Sequence, residues 1–353
     1  MTERKMATIR RISELQPIDG ADRIELAVVD GWKVIVKKGE YQVGSLAVYL
    51  EIDSWVPHTV APFLTKSGHF PKVYQGIEGQ RLKSVKMKGV TSQGLLLPLN
   101  TNEIELAEQT PGGPEGADMT EVLGIVKWEK EIPANLRGVQ RGNFPSEIRK
   151  TDQERIQNLS KKFEQLKRDH IWEVTEKLHG SSATYYLDTQ GVFHVCSRNI
   201  DLQKVEGNTF WDISDEYSIE ENMQIAFAND PDTIGGIAIQ GELIGPGING
   251  NQYGCTEPAF FVFDLQHVKD GYAPAEYRYE IAKVLGLPHT PVVHEAFTIP
   301  QEWTIEDLLT FAEGKSLING SEREGLVFKS LNDPEVTFKV VSNKWLLAGG
   351  EDQ

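Results

Sequence analysis

Residues 24–29 and 32–36 are runs of β-favouring side chains, and the two residues between them are Asp30-Gly31. An Asp-Gly pair between such runs is the strongest short-range signal for a β-hairpin, because both residues accept backbone angles that match strand twist. A third strand is expected over 46–52. Over 81–88, Arg81, Lys83, Lys86 and Lys88 are interleaved with Leu82, Val85 and Met87, and Leu95-Leu96-Leu97 follows beyond Gly89. Strand side chains alternate between faces, so the 81–88 pattern predicts one strand with several cations on its solvent side. Short strands at this spacing predict a small OB-like β-barrel over residues 1–125.

Residues 102–119 are rich in Glu, Gly and Pro and predict a long acidic loop. Residues 126–150, with Pro133 and Pro145, read as an interdomain connection. Thr151-Asp152-Gln153-Glu154 has the form of a helix start, with an N-cap and an acid three residues on. That helix is expected to reach Arg168, with Ile156, Leu159, Phe163 and Leu166 on one face. Strand patterns then return at 171–175, 183–187, 192–197, 237–244, 260–265, 325–329 and 336–341. Helices are expected at 275–285 and 305–313. Residues 151–353 are therefore expected to form an α+β domain with mainly antiparallel strands. A chain of 353 residues is long enough for two domains with buried cores.

No apolar run approaches the length that crosses a bilayer, and the polar start Met1-Thr2-Glu3-Arg4-Lys5 is unlike a signal peptide. Membrane partners are not expected. The two cysteines, Cys196 and Cys255, lack metal-ligand spacing and read as buried thiols in a reducing, cytoplasmic compartment. A net charge of −16, taken alone, argues against a protein that coats nucleic acid through bulk charge. It leaves room for a local basic groove. Besides 81–88, the cluster Lys161, Lys162, Lys167 and Arg168 is a candidate, although such clusters are ordinarily solvated faces.

The chemistry concentrates at Glu176-Lys177-Leu178-His179-Gly180, directly after the 171–175 strand. A lysine at a strand end before a glycine turn can point into a cleft. Its amine attacks phosphorus only as the free base, which burial or neighbouring cations favour. Taken alone, so short a pattern is an exposed turn. It is joined by Ser197-Arg198-Asn199, Gly241-Glu242-Leu243-Ile244-Gly245, Phe260-Phe261-Val262-Phe263-Asp264, Glu324-Gly325-Leu326-Val327-Phe328-Lys329 and Phe338-Lys339-Val340-Val341-Ser342-Asn343-Lys344.

This ordered set resembles the covalent nucleotidyltransferases, the polynucleotide ligases and mRNA-capping enzymes. The resemblance implies an antiparallel-sheet, ATP-grasp-like ligase domain in which Lys177, here in K-x-H-G, takes AMP from ATP as a phosphoramidate. It places Glu176 by the adenine and Arg198 near the ribose and an end phosphate. Glu242 becomes a ribose-contacting or metal-facing acid, and Phe263 the ring that stacks on the base. Glu324 becomes the acid that organises catalytic Mg²⁺ or Mn²⁺. Lys329 and Lys339, with Lys344 as a third, would neutralise phosphates. His179 and Gly180 complete the nucleotide turn. Lysines and a metal held by one or two carboxylates supply the positive charge that phosphoryl transfer needs.

The last motif ends at Lys344, which leaves no space for a C-terminal OB domain before Gln353. An N-terminal OB domain instead resembles the RNA ligases of the Deinococcus and Naegleria type. That resemblance runs through Ile24-Glu25-Leu26-Ala27-Val28, Ser92-Gln93-Gly94-Leu95-Leu96-Leu97-Pro98 and Lys150-Thr151-Asp152-Gln153-Glu154-Arg155-Ile156-Gln157-Asn158, and makes Arg155 a candidate for the ATP phosphates. Thr175 departs from relatives that carry arginine two residues before the nucleophile. The expected substrates are RNA ends in a nicked duplex, with RNA preferred on the 3′-OH side, and the expected state is a monomer. The rival readings are a DNA ligase with the same lysine chemistry and a non-catalytic OB-type nucleic-acid-binding protein. Gly245-Pro246-Gly247-Ile248-Asn249-Gly250 fits G-x-G-x-x-G, but no helix pattern follows it, so a dinucleotide site is rejected.

Overall fold

The computed structural model describes residues 4–99, 115–129, 138–227 and 236–349. The chain divides into two compact units, Met1–Glu131 with Gln157–Lys161, and Ile132–Ile156 with Lys162–Gln353.

In the first unit the strands are β1 (Ala7–Pro17), β2 (Ile24–Val29), β3 (Trp32–Lys37), β4 (Leu46–Leu50), β5 (Ser54–Pro57), β6 (Lys72–Tyr74), β7 (Ile77–Arg81), β8 (Val85–Met87), β9 (Val90–Ser92), β10 (Leu95–Pro98) and β11 (Val126–Lys127). The Asp30-Gly31 hairpin forms as read: Val29 pairs with Trp32, and Asp30 takes the left-handed φ of 51°. Strand β1 pairs with β4 through Ala7–Arg11 and with β2 through Ile12–Pro17. A register shift between Ile12 and Glu14 bends it. Such a bend coils a sheet towards closure, giving the half-barrel β10-β4-β1-β2-β3. A second sheet has the order β11-β5-β7-β6. Ile12, Trp32 and Tyr49 are fully buried. The indole Nε1 of Trp32 donates to Asn158 Oδ1 at 2.7 Å, which ties the 157–161 segment to this unit.

The 81–88 stretch is not one strand. Arg81 ends β7, Leu82 is buried, and β8 starts at Val85 in a separate hairpin with β9. Arg81 is drawn inward because its guanidinium pairs with Asp53 at 2.6 Å and lies 3.8 Å over the Trp128 ring. The acidic loop expected at 102–119 lies outside the described residues up to 114, as do residues 130–137 of the expected connection. Residues 140–143 of that connection form a strand.

The second unit contains β12 (Gln140–Asn143), β13 (Glu154–Arg155), β14 (Trp172–Lys177), β15 (Ser181–Leu187), β16 (Phe193–Ser197), β17 (Ile200–Leu202), β18 (Ile237–Ile244), β19 (Ala259–His267), β20 (Gly271–Tyr272), β21 (Val292–Phe297), β22 (Gly325–Ser330) and β23 (Thr337–Val341). Its helices are α1 (Phe163–Asp169), α2 (Thr209–Glu216), α3 (Ile219–Phe227), α4 (Ala275–Val284), α5 (Ile305–Ala312) and α6 (Asn343–Leu347). The strands build a seven-stranded sheet, β12-β17-β16-β15-β18-β19-β20, and a five-stranded sheet, β13-β23-β22-β14-β21. One face of the larger sheet packs Tyr185, Ile239 and Phe260 against α2, α3 and α4. In the smaller sheet Trp172, Phe328 and Phe338 stack on one face. Strand alternation therefore leaves Glu173, Thr175, Lys177, Lys329 and Lys339 on the other face.

The helix expected from Thr151 starts later. Residues 154–155 pair in parallel with β23, residues 156–162 are 3-10, and the α-helix spans only Phe163–Asp169. Thr151 and Asp152 do not cap it. The Thr151 hydroxyl bonds Ser182 Oγ at 2.9 Å, and Asp152 pairs with cations. Lys167 leaves the expected basic surface, because its buried ammonium donates to the carbonyls of Gln301 and Trp303 at 2.7 and 3.1 Å. Helices α2 and α3 and strand β21 carried no clear sequence pattern. After β18 the chain makes a three-residue 3-10 turn at Asn249–Asn251, as the rejection of a dinucleotide site required.

Candidate active site

Strand β14 carries Lys177 to its last position, opposite Gly325 of β22. The residue before Gly325 is Glu324, so the pairing sets an acid beside the lysine. Lys177 Nζ lies 2.6 Å from Glu324 Oε1 and is 24% exposed, so it can be reached from solvent. The chain then turns through Leu178-His179-Gly180 into β15. The amide of Gly180 donates to Glu242 Oε1 at 2.8 Å. Only glycine fits there, because a Cβ would overlap the Leu243 carbonyl oxygen. His179 Nδ1 lies 3.5 Å from Glu324 Oε2, and its backbone N–H donates to Tyr253 Oη at 2.8 Å. The structure thus gathers Lys177, His179, Gly180, Glu242 and Glu324.

The two acids are held in opposite states. Burial pushes the Glu242 carboxyl up to about 7; Lys177 opposes that shift and Glu324 adds to it. Burial acts on Glu324 too, but Lys177 and His179 beside it hold its carboxyl down at about 2. Among the described residues no group of three or more His, Cys, Asp or Glu side chains is arranged to hold a metal ion. Glu324 Oε2 is buried without a hydrogen-bond partner. Two carboxylates with one free buried oxygen fit an ion such as Mg²⁺, which keeps most of its waters and needs few protein ligands.

A second group lies along the same strands. Asp152 bridges Arg198 and Lys339: Oδ2 is 3.3 Å from Arg198 Nη2, and Oδ1 is 3.1 Å from Lys339 Nζ. Arg198 follows β16, and Lys339 sits on β23 opposite Val327 and beside Arg155 of β13. Arg155 is buried.

A third group lies further along the face. Gln240 of β18 pairs with Asp264 and Gly241 with Val262, so Phe263 is an extra residue in β19. A bulge of this kind re-aims one side chain. Phe263 is half-buried, with Lys329 Nζ 5.6 Å from its ring centre. Lys329 Nζ donates to the Phe263 carbonyl and to Asp264 Oδ1, the latter at 2.5 Å. Burial draws the Lys329 ammonium down to about 8 against the pull of Asp264. Glu173 completes this end, accepting hydrogen bonds from Arg278 and from the Tyr279 hydroxyl.

Two expected residues lie elsewhere. Glu176 faces away from Lys177: its buried carboxylate accepts from the Leu317 amide at 2.8 Å. Lys344 pairs at the surface with Glu322 at 3.0 Å. Sequence reading missed Asp152, Asp264 and the Glu173–Arg278 pair as parts of the site. Asp152 had the look of a helix cap, and Asp264 was visible only as the neighbour of Phe263.

A half-barrel unit and a two-sheet unit whose polar face gathers a strand-end lysine, two carboxylates and the cations Arg198 and Lys339 define a nucleotidyltransferase with an N-terminal OB-fold. Residues 6–99 match the family model of an OB-fold domain, and residues 170–345 match that of RNA ligase. Solved structures of Naegleria gruberi RNA ligase match nearly the whole chain. A glutamate-to-alanine mutant with AMP and Mn is 36% identical, covering 99% of this chain and 100% of that one, with a TM-score of 0.87. A lysine-to-alanine mutant with ATP and Mn gives the same values. The same enzyme with pyrophosphate is 36% identical over 99% and 100% of the two chains, with a TM-score of 0.86. Comparison with curated proteins gives no match. The chain belongs to the RNA ligase family.

Proposed function

We propose that the chain is an ATP-dependent RNA ligase that joins a 5′-phosphate to a 3′-OH through AMP bound covalently to Lys177. The observation that carries this reading is the position of Lys177: at a strand end, partly exposed and 2.6 Å from Glu324. Naegleria structures with ATP, with AMP and with pyrophosphate support it, since these are the substrate, the transferred group and the leaving group of the first step.

In that step the free amine of Lys177 attacks the α-phosphorus of ATP. An N–P bond forms, the P–O bond to pyrophosphate breaks, and the amine loses its proton. AMP then passes to a 5′-phosphate, forming a 5′–5′ pyrophosphate bond and freeing the lysine. The 3′-OH finally attacks that phosphate, and AMP leaves. Glu242 and Glu324 would hold Mg²⁺ or Mn²⁺, which supplies positive charge beside the reacting phosphate. Arg198 and Lys339, with Arg155 nearby, form the phosphate-binding side, and Phe263 stacks on the base. Lys329 holds the Phe263 bulge through Asp264, and this position supports a structural part for it better than direct phosphate contact.

The finer reading is of a monomer that seals nicks in duplexes and prefers RNA on the 3′-OH side. The grouping of Lys177, Glu242 and Glu324 within one chain supports the monomer. Free Cys196 and Cys255 support a reducing, cytoplasmic setting. The functional boundaries would be 1–125 for the OB-like part, 126–150 for the connection and 151–353 for the ligase part.

The deciding experiment is incubation with α-labelled ATP and Mg²⁺, then denaturing electrophoresis, for wild type and Lys177→Ala. An acid-labile labelled band present only in the wild type is expected. No label on wild-type protein freed of prebound AMP would overturn the reading.

A further inference from the structure

The chain carries 52 acidic residues in 353, yet none between Ser54 and Ile77. That stretch contains Lys66, Lys72, His58 and His69. Its residues 58–71 connect β5 to the edge strand β6 of the OB-like unit, and residues 66–70 are all exposed. Phe70 is 91% exposed, Val73 65% and Phe63 64%, while Lys66 and Lys72 are also exposed. Solvated phenylalanines are costly to hydration and rarely cluster on a surface without a partner. The loop is shaped rather than extended: the His69 amide donates to the Lys66 carbonyl at 3.0 Å across a turn whose Gly68 takes φ 81°. Some cations of this unit are paired, as Arg11 is with Glu115 and Arg81 with Asp53. Among the described residues no carboxylate lies within ion-pair distance of Lys66 or Lys72. The acid nearest in the strand pairing is Glu78, opposite Val73.

We propose that this loop, with Phe70 at its tip and Lys66 and Lys72 beside it, binds an unpaired stretch of the RNA substrate, one base stacking on Phe70 and two phosphates on the lysines. The proposal rests on the ligase reading and adds a substrate-holding surface on the OB-like unit. An exposed ring flanked by two cations without ion-pair partners suits a polyanion with unstacked bases, because a nucleotide offers a π-face and a phosphate in one repeat. Addition of a protein strand to the β6 edge suits it less. Pro71 stands directly before β6, and proline at an edge blocks pairing.

The test uses the full chain and Phe70→Ala, Phe70→Trp and Lys66→Ala/Lys72→Ala. Binding of labelled single-stranded RNA is followed by anisotropy across salt concentrations, alongside labelling of Lys177 by α-labelled ATP. Phe70→Ala is expected to weaken RNA binding about tenfold, with Phe70→Trp retaining it. The double lysine variant should lower the slope of log K against log salt by about 1.4. AMP labelling should be unchanged in all three, since none of these residues belongs to the unit that carries Lys177. Wild-type RNA affinity and salt slope in Phe70→Ala and the double variant would overturn the proposal. So would a wild-type dimer that Phe70→Ala converts to monomer with RNA affinity intact, which would make this face a contact between copies. If wild type takes no AMP label, the ligase reading fails, and the RNA-binding comparison still decides the surface.

Discussion

The two ends of the polar face in the second unit handle a lysine in opposite ways. At one end Lys177 is 24% exposed and faces Glu324, with the raised carboxyl of Glu242 close by. At the other, Lys329 is 5% exposed and fixed by Asp264 and a carbonyl, behind a Glu173–Arg278 pair that is also buried. A nucleophile must exchange partners during each cycle, so one open ion pair suits it. A lysine that holds a bulge in place must not exchange, and several buried partners suit that. Similar residue types thus suit chemistry at one end and support at the other, and exposure separates the two.

The largest test of this contrast replaces one cation by methionine at each end. Arg278→Met leaves the Glu173 carboxylate buried without its cation, which costs about 3–5 kcal/mol. Thermal unfolding should show a drop on the order of 10 °C. Lys177→Met should cost less, because Lys177 is 24% exposed and its pair with Glu324 is the more solvent-screened of the two. Equal losses in the two variants would mean that the Lys177 end is as structural as the other.

A smaller effect concerns pH. His289 sits against the sealed end, its Nε2 accepting from Arg278 Nε at 3.0 Å and its Nδ1 donating to the Thr290 carbonyl at 2.8 Å. Both nitrogens are satisfied only in the neutral ring. Burial, with Arg278 adding to it, lowers this imidazole to about 3. The unfolded chain takes up the proton near pH 6.5 and the folded chain does not, so stability is present above pH 6.5 and is lost as pH falls towards 3. The slope is at most about 1.4 kcal/mol per pH unit. Denaturant titrations at pH 7 and 4.5 should show a fall of about 2 kcal/mol in wild type that is absent from His289→Gln. Parallel curves would remove His289 from the account.

Much of the open end was legible in the sequence, and little of the sealed end. Lys177 closes β14 three residues before Gly180, Glu242 follows Gly241 within β18, and Glu324 stands directly before Gly325 and β22, so local pattern and chemistry coincide there. Phe263 was legible as an aromatic in a strand, but its direction was not, because the bulge that turns it appears only when β18 and β19 pair. The Arg278–Glu173 contact joins residues 105 apart, which no local periodicity reports. The 81–88 strand and the 151–168 helix failed for a related reason. Alternation and capping signals describe a segment in isolation, whereas Arg81 is taken by Asp53 and Trp128, and Asp152 by Arg198 and Lys339.

Asp152 provides the smallest test, because its character lies between the two ends. It bridges two cations as a buried acid would, yet Arg198 is 42% exposed and Asp152 itself 29%. Exposed pairs of this kind contribute roughly 0–1 kcal/mol, so Asp152→Asn should barely change thermal stability. Its effect should appear in binding. A phosphate approaching Arg198 and Lys339 meets the negative charge of Asp152, and neutralising that charge removes one repulsion from its path. The expected result is ATP binding a few-fold tighter in Asp152→Asn, measured by calorimetry without divalent metal so that phosphoryl transfer does not follow. Weaker binding would show that Asp152 aligns the two cations more than it competes for them, which would move this part of the cleft towards the sealed kind.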